Sequence, residues 1–201
     1  MSFADDLTLS NTCYTINECI VNTEKDLKLV KAWCHKWGQH YHKTEVMFHT
    51  KQGASTDATV IDNGHALPKV RTRKLLGVII DEDLKFKDQI EYAAGKAESS
   101  LNAVNRLLGV TSTEVGLLIA KRLASSHIER TYPAWCFTTS SLKPIEKFHR
   151  CVLLRCTGAM ASTSTSQLEV FCNTLLLALK LRELVLLEYA RLCRVPVHHP
   201  L

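Results

Sequence analysis

Asp5 and Asp6 stand side by side in the run Phe3-Ala4-Asp5-Asp6. Neighbouring carboxylates on a tight turn are the hard oxygen ligands that a divalent cation such as Mg²⁺ prefers. Two-metal phosphoryl transfer gathers several such oxygens around ions about 3.5–4 Å apart, and a dication relieves the mutual repulsion of the pair. The same two acids could also be a solvated pair without the further carboxylates that such chemistry needs. Basic side chains form the second chemical theme. Lys69, Arg71 and Arg73 alternate, as side chains on one face of a strand do. Lys121, Arg122, Arg130, Lys143, Lys147, Arg150 and Arg155 face only Glu129 and Glu146 within residues 121–155. That segment alone accounts for the net charge of +5. Either group could follow a phosphate backbone. Either could equally be an ordinary solvated edge strand or helix face.

The elements that would position these groups divide into two parts. Leu7 and Leu9 followed by Ser10-Asn11-Thr12 read as a short strand leaving the acidic turn. Thr23 with Asp26 suggests a capping box for a helix over 23–37, with Leu27, Val30, Cys34 and Trp37 on one face. Strands are expected at 44–49, 59–62, 67–72 and 74–80, with Asn63-Gly64 as a hairpin turn. From about residue 83 the period turns helical. Ile90, Ala94, Ala97, Leu101, Val104 and Leu108 make a seam, and Thr111-x-x-Glu114 reads as the cap of a second helix. Pro133 is expected to break the chain. A third helix over 141–157 stops at Gly158, Ser166-x-x-Glu169 opens a fourth, and 175–194 form a fifth. The expected fold class is α+β: a mixed part at 1–82, an all-helical part at 83–195 and a tail at 196–201.

Four motifs occur in an order that resembles the reverse transcriptase of non-LTR, LINE-like (jockey-type) retrotransposons. They are Phe3-Ala4-Asp5-Asp6; the W-xxx-W at Trp33 and Trp37 with Lys43-Thr44-Glu45-Val46-Met47-Phe48; Lys74-Leu75-Leu76-Gly77-Val78-Ile79-Ile80-Asp81 with Leu84-Lys85-Phe86; and Gly158-Ala159, Ser162-Thr163 and Leu168-Glu169. The resemblance implies a distal polymerase palm followed by a thumb-like helical region, acting on an RNA/DNA hybrid or duplex with magnesium. It assigns Asp5 and Asp6 to the metal and places Lys43 near the incoming triphosphate, where a lysine offsets charge or protonates the departing pyrophosphate. It makes Leu75-Leu76-Gly77 the primer grip that seats the 3′ end. The spacing departs from the family pattern at one point, because Trp33 to Lys43 is ten residues and His40 takes the place of an Asn.

The full enzyme would carry fingers and a further metal-binding Asp before the acidic turn. With that turn at residue 3 the expectation is a fragment, lacking the hairpin's incoming strand and catalytically incomplete by itself, for which an upstream reverse transcriptase segment is a candidate partner. The alternative is a non-catalytic module that binds nucleic acid or a protein partner. Eight cysteines without a C-x-x-C pair read as reduced core residues. Cys34, His35, His40, His42 and His49 match no paired zinc-ligand spacing. The longest apolar run, Leu175 to Leu179, is too short for a membrane helix, and no signal peptide is visible. A soluble, intracellular protein without a membrane partner is expected.

Overall fold

The computed structural model describes residues 2–3, 6–38, 43–49, 58–62, 64–136 and 142–194, with the backbone alone for residues 2, 3 and 6. The fold is α+β. Short two-stranded sheets occupy the first part, and every regular element described after residue 86 is helical. The chain divides into two compact units, one through Arg73 and one from Lys74 onward.

In the first unit β1 (Ser2–Phe3) pairs antiparallel with β2 (Asp6–Leu7), Phe3 opposite Asp6. The acidic turn therefore does have an incoming strand, formed by the two residues before it. Helix α1 (Ile16–Lys36) begins seven residues earlier than the 23–37 expectation. Its cap is Thr15, which has extended backbone and whose Oγ1 accepts from the Glu18 N–H at 3.3 Å. Thr15-x-x-Glu18 carries the same capping signature as Thr23 and Asp26, one pair further upstream. Thr23 instead lies inside the helix and donates its hydroxyl to the Cys19 carbonyl at 2.8 Å. The 44–49 strand is reduced to one parallel bridge between Val46 and Lys69.

The strands on either side of the expected turn do pair: β3 (Ile61–Asp62) is antiparallel to β4 (His65–Ala66), and Asn63 itself lies outside the described residues. It is tied to α1 by polar contacts. The Ile61 N–H donates to Glu24 Oε1 at 3.1 Å, and Lys31 forms an ion pair with Asp62. Leu27 and Val60 are the buried apolar side chains of this unit among the described residues, so polar ties supplement a very small core.

The strand expected over 74–80 turns back on itself. β5 (Thr72–Leu75) and β6 (Val78–Asp81) form a two-stranded sheet around Leu76-Gly77, both at positive φ (48° and 91°). Positive φ at both central residues suits the right-handed twist of a two-residue hairpin, and Gly77 adopts it without a Cβ penalty. Asp81, at the end of β6, organises the next turn. Its Oδ1 accepts from Phe86 N–H at 2.8 Å and its Oδ2 from Lys85 N–H at 3.0 Å. These bonds hold Leu84 and Phe86 at positive φ, which costs a non-glycine residue energy. Helix α2 (Lys87–Leu108) starts there, and its buried Gln89 Oε1 accepts from the Ile79 N–H at 2.8 Å. A helical side chain thus satisfies a strand donor and joins β6 to α2.

The expected seam of α2 is present, with Ile90, Ala94, Ala97, Leu101 and Leu108 buried. Helix α3 (Thr113–Ala120) is capped by Ser112, whose Oγ accepts from the Val115 N–H, one residue after the expected Thr111. The Thr111 hydroxyl is buried and has no hydrogen-bond partner among the described residues. After α3 the chain widens into a π-turn, Lys121–Ser125, before α4 (Ser126–Glu129). Gly116, Ala120, Ala124 and Ile128 are all buried at intervals of four. In a plain α-helix such a row drifts by about 40° per step; the wider turn brings it back towards α2 and α6. The helical run does break just before Pro133: α4 stops at Glu129, and Pro133 sits in the first turn of α5 (Tyr132–Trp135), where its missing N–H costs little.

Helix α6 (Lys143–Thr157) ends at Gly158 in the left-handed conformation, as its sequence predicts. Helix α7 (Thr165–Phe171) is capped by Ser164, not Ser166, and α8 (Leu177–Arg194) follows. Trp135, Ile145, Phe148 and Val152 from α5 and α6 close the core against α2 and the α3–α4 segment. The cysteines are all free, and only Cys156 is buried, its thiol raised to about 11 chiefly by that burial. Most are therefore not the core residues that the sequence suggests.

Glu169 is a buried acid shared by three helices. Its Oε1 lies 3.0 Å from His149 Nε2 on α6 and accepts from the Leu177 N–H at the start of α8. Burial pushes the His149 imidazole below its ordinary 6.5, against the opposing pull of Glu169. The unfolded chain therefore takes up this proton first as pH falls. The site's contribution is complete above about pH 6.5 and declines as pH falls through the folded value. Chemical denaturation at a series of pH values should show this loss, and His149→Gln should remove that part of the pH dependence. A second expectation concerns Gly116. A Cβ there would lie 3.5 Å from Thr111 Oγ1 and 3.6 Å from Cys156 Sγ, ordinary contact distances. Gly116→Ala should raise the denaturation midpoint, by about 0.5–1 kcal/mol in stability. Gly116→Leu should lower it, since the extra atoms would enter packed space.

Candidate nucleic-acid interface

Asp5 and the Asp6 side chain lie outside the described residues, and the pairing of Phe3 with Asp6 is what the structure contributes to the acidic turn. Among the described residues there is no cluster of three or more His, Cys, Asp or Glu side chains suited to a metal ion. Lys43 is exposed in a segment without regular structure.

Leu75, Leu76 and Gly77, which resemble a primer grip, occupy the end of β5 and the tip of the β5–β6 hairpin. Leu76 is about half exposed (48 %). An added Cβ at Gly77 would meet nothing within 4 Å. The tip is therefore an open surface, and the glycine is required there by its φ and not by close packing.

Lys69, Arg71 and Arg73 do not lie along one strand. Lys69 is in the isolated bridge to Val46 and lies 5.8 Å from the Phe48 ring centroid. Arg71 falls in a bend, and Arg73, on β5, pairs with Glu45 at 2.8 Å. The alternation that suggested a one-sided stripe is interrupted at Arg71, and Arg73 already has an acidic partner.

The seven basic residues of 121–155 separate by task. Arg150 donates to Thr165 Oγ1 at 3.0 Å and to the Ala161 carbonyl, which fastens the loop between α6 and α7. Arg155 donates to Asn102 Oδ1 at 2.6 Å and links α6 to α2. Lys121, Arg122, Arg130 and Lys147 are exposed, with no hydrogen bond or ion pair among the described residues. Lys121 and Arg122 lie on the π-turn, where three consecutive residues (121–123) face solvent. Lys143 and Lys147, four apart on α6, lie on one helical face.

One basic cluster was not legible in the sequence. Lys74 on β5 donates to Tyr92 Oη at 2.8 Å, and Lys96 lies 5.9 Å from the same ring. Tyr92 and Lys96 are i,i+4 neighbours on α2 and could have been paired from spacing. Lys74 joins them only because the hairpin returns the chain to α2. A half-buried aromatic ring beside two cations can stack on a base with its open face while the lysines meet phosphate.

No helix among the described residues is long and apolar enough to cross a membrane. The chain matches no protein-family model, no curated protein and no solved structure.

The Lys74 hydrogen bond, with the charges of Lys74 and Lys96, holds the Tyr92 phenol below its ordinary value near 10. In an alkaline titration followed by tyrosinate absorbance, one of the five tyrosines should ionise early. Lys74→Met should return it to the ordinary range.

Proposed function

We propose that these 201 residues are the distal-palm and thumb segment of a non-LTR retrotransposon-type reverse transcriptase, and that their own contribution is to hold a nucleic-acid duplex or hybrid. The observation that carries the reading is the position of Leu75-Leu76-Gly77. The residues that resemble the primer grip form the tip of a hairpin, the element this role requires. The run of helices after the hairpin, with exposed Lys121, Arg122, Arg130 and Lys147, supports a thumb that lies along a backbone. Polymerisation belongs to the full enzyme. Asp5 and Asp6 supply fewer carboxylate oxygens than two metal ions require, so a further acid must come from another segment.

The purified chain should therefore give no template-dependent primer extension with Mg²⁺ or Mn²⁺. Incorporation that exceeds an Asp5→Ala, Asp6→Ala control would overturn this part of the reading.

Binding should be salt-sensitive and indifferent to sequence. Each phosphate contact releases condensed counterion and contributes roughly −0.9 to the slope of log K against log salt on B-form DNA. Three or four contacts from the exposed cations would give a slope of about −3 to −4. Lys121→Glu with Arg122→Glu should flatten the slope by about 2. A slope near zero, unchanged by the double reversal, would instead favour a partner-binding module. The exposed Leu186, Leu187, Tyr189 and Leu192 on α8 are the observation on that side.

A further inference from the structure

We propose that Cys13 and Cys19 form a reversible dithiol–disulfide pair, a modification site closed by a hydroperoxide, which fastens the segment between β2 and α1 to the first turn of the helix. Cys13 lies two residues before the Thr15 cap and Cys19 four after it, and Cys13 Sγ is held against Asn22, one helical turn beyond Cys19 on α1. Both sulfurs are held on one flank of α1. Asn22 Nδ2 donates to Cys13 Sγ at 3.6 Å, and the Cys19 S–H donates to the Asn11 carbonyl at 3.8 Å. Asn11 in turn donates through Nδ2 to Thr23 Oγ1 at 3.1 Å and to Asp26 Oδ2 at 3.0 Å. The segment is thus already clasped to the helix by hydrogen bonds, and both thiols lie inside that clasp.

Both thiols are half-buried, which leaves room for a small oxidant. Cys34, the other cysteine of α1, is fifteen residues from Cys19, or about 22 Å along the helix. It cannot compete for either sulfur without unfolding α1.

The chemistry balances with a hydroperoxide as oxidant. One thiolate attacks the peroxide oxygen, the O–O bond breaks, and water leaves with a sulfenic acid on sulfur. The second thiol attacks that sulfur, the S–O bond breaks, a second water leaves and the S–S bond forms. Two thiols are oxidised by two electrons and one hydrogen peroxide is reduced to two waters. Hydrogen bonding of the protonated thiol with Cys13, then burial, holds the Cys19 thiol above its ordinary value, so closure should quicken as pH rises.

The test uses the full chain. It is exposed to graded hydrogen peroxide, blocked with N-ethylmaleimide and digested with trypsin. The first basic residue is Lys25, so the peptide Met1–Lys25 holds both thiols and no other cysteine. The expected product is this peptide two hydrogens lighter and without maleimide, taking two maleimides once reduced, while the Cys34 peptide is still blocked. Closure should be at least about tenfold faster in the folded chain than in urea, because the fold and not the short spacing brings the sulfurs together. Cys13→Ser should leave Cys19 open to maleimide. Equal rates in urea would overturn the proposal. So would a bridge from either cysteine to a different one, or oxidation of the other cysteines before this peptide closes.

Discussion

The helical unit depends on close approach to α2. Ala93, Ala94 and Ala97 are buried along its seam, between the larger Ile90 and Leu101. Small side chains let neighbouring backbones come near, and the flanking large ones fill the space between them. The facing row of Gly116, Ala120 and Ala124 is equally small. That row stays buried only because the π-turn at Lys121–Ser125 corrects the drift of a four-residue spacing. The same turn leaves Lys121, Arg122 and Leu123 facing water together. A packing requirement on one side of the helix thereby sets what is displayed on the other.

Polar side chains at the edges of this core are placed with similar economy. Asp81 accepts two backbone N–H groups and holds the turn into α2, Gln89 reaches back to Ile79, and Glu169 serves His149 and the first turn of α8. Each accepts from a backbone N–H at a junction between elements, a bond that contributes about 0.5–3 kcal/mol depending on the charge of the acceptor. Asp81 and Glu169 are also the acids of two motifs that resemble a polymerase. In this chain both act as connectors between elements, and that is a sufficient physical reason for acids at those positions.

The two units differ in what holds them. The helical unit has a continuous apolar core from Ile90 to Leu181. The first unit has Leu27 and Val60 buried, together with Glu24 to Ile61, Lys31 to Asp62 and Asn11 to Thr23 and Asp26. Surface ion pairs and exposed hydrogen bonds contribute little individually, so this unit relies on many small ties. Its most chemically suggestive residues, from the acidic turn to Arg73, therefore belong to the less strongly packed part of the protein.

The sequence by itself determined the α+β class, the helical character after residue 83, the seam of α2, the 63–64 turn and the stop of α6 at Gly158. These follow from local rules: hydrophobic period, turn chemistry and the left-handed tolerance of glycine. It placed three helix starts wrongly, at Thr23, Thr111 and Ser166, because Thr15, Ser112 and Ser164 offer equivalent hydroxyls nearby. Which hydroxyl caps is decided by which backbone is extended when the helix is packed. Charge was legible as a count and not as a function. Seven basic residues over 121–155 look alike in sequence, yet Arg150 and Arg155 bind within the fold while Lys121 and Arg122 do not. The reversal at Leu76-Gly77, the meeting of Lys74 with Tyr92, and the approach of Cys13 to Cys19 belong to tertiary structure. Each joins groups whose proximity depends on how the chain turns or on which flank of a helix it crosses, and side-chain periodicity carries no record of that.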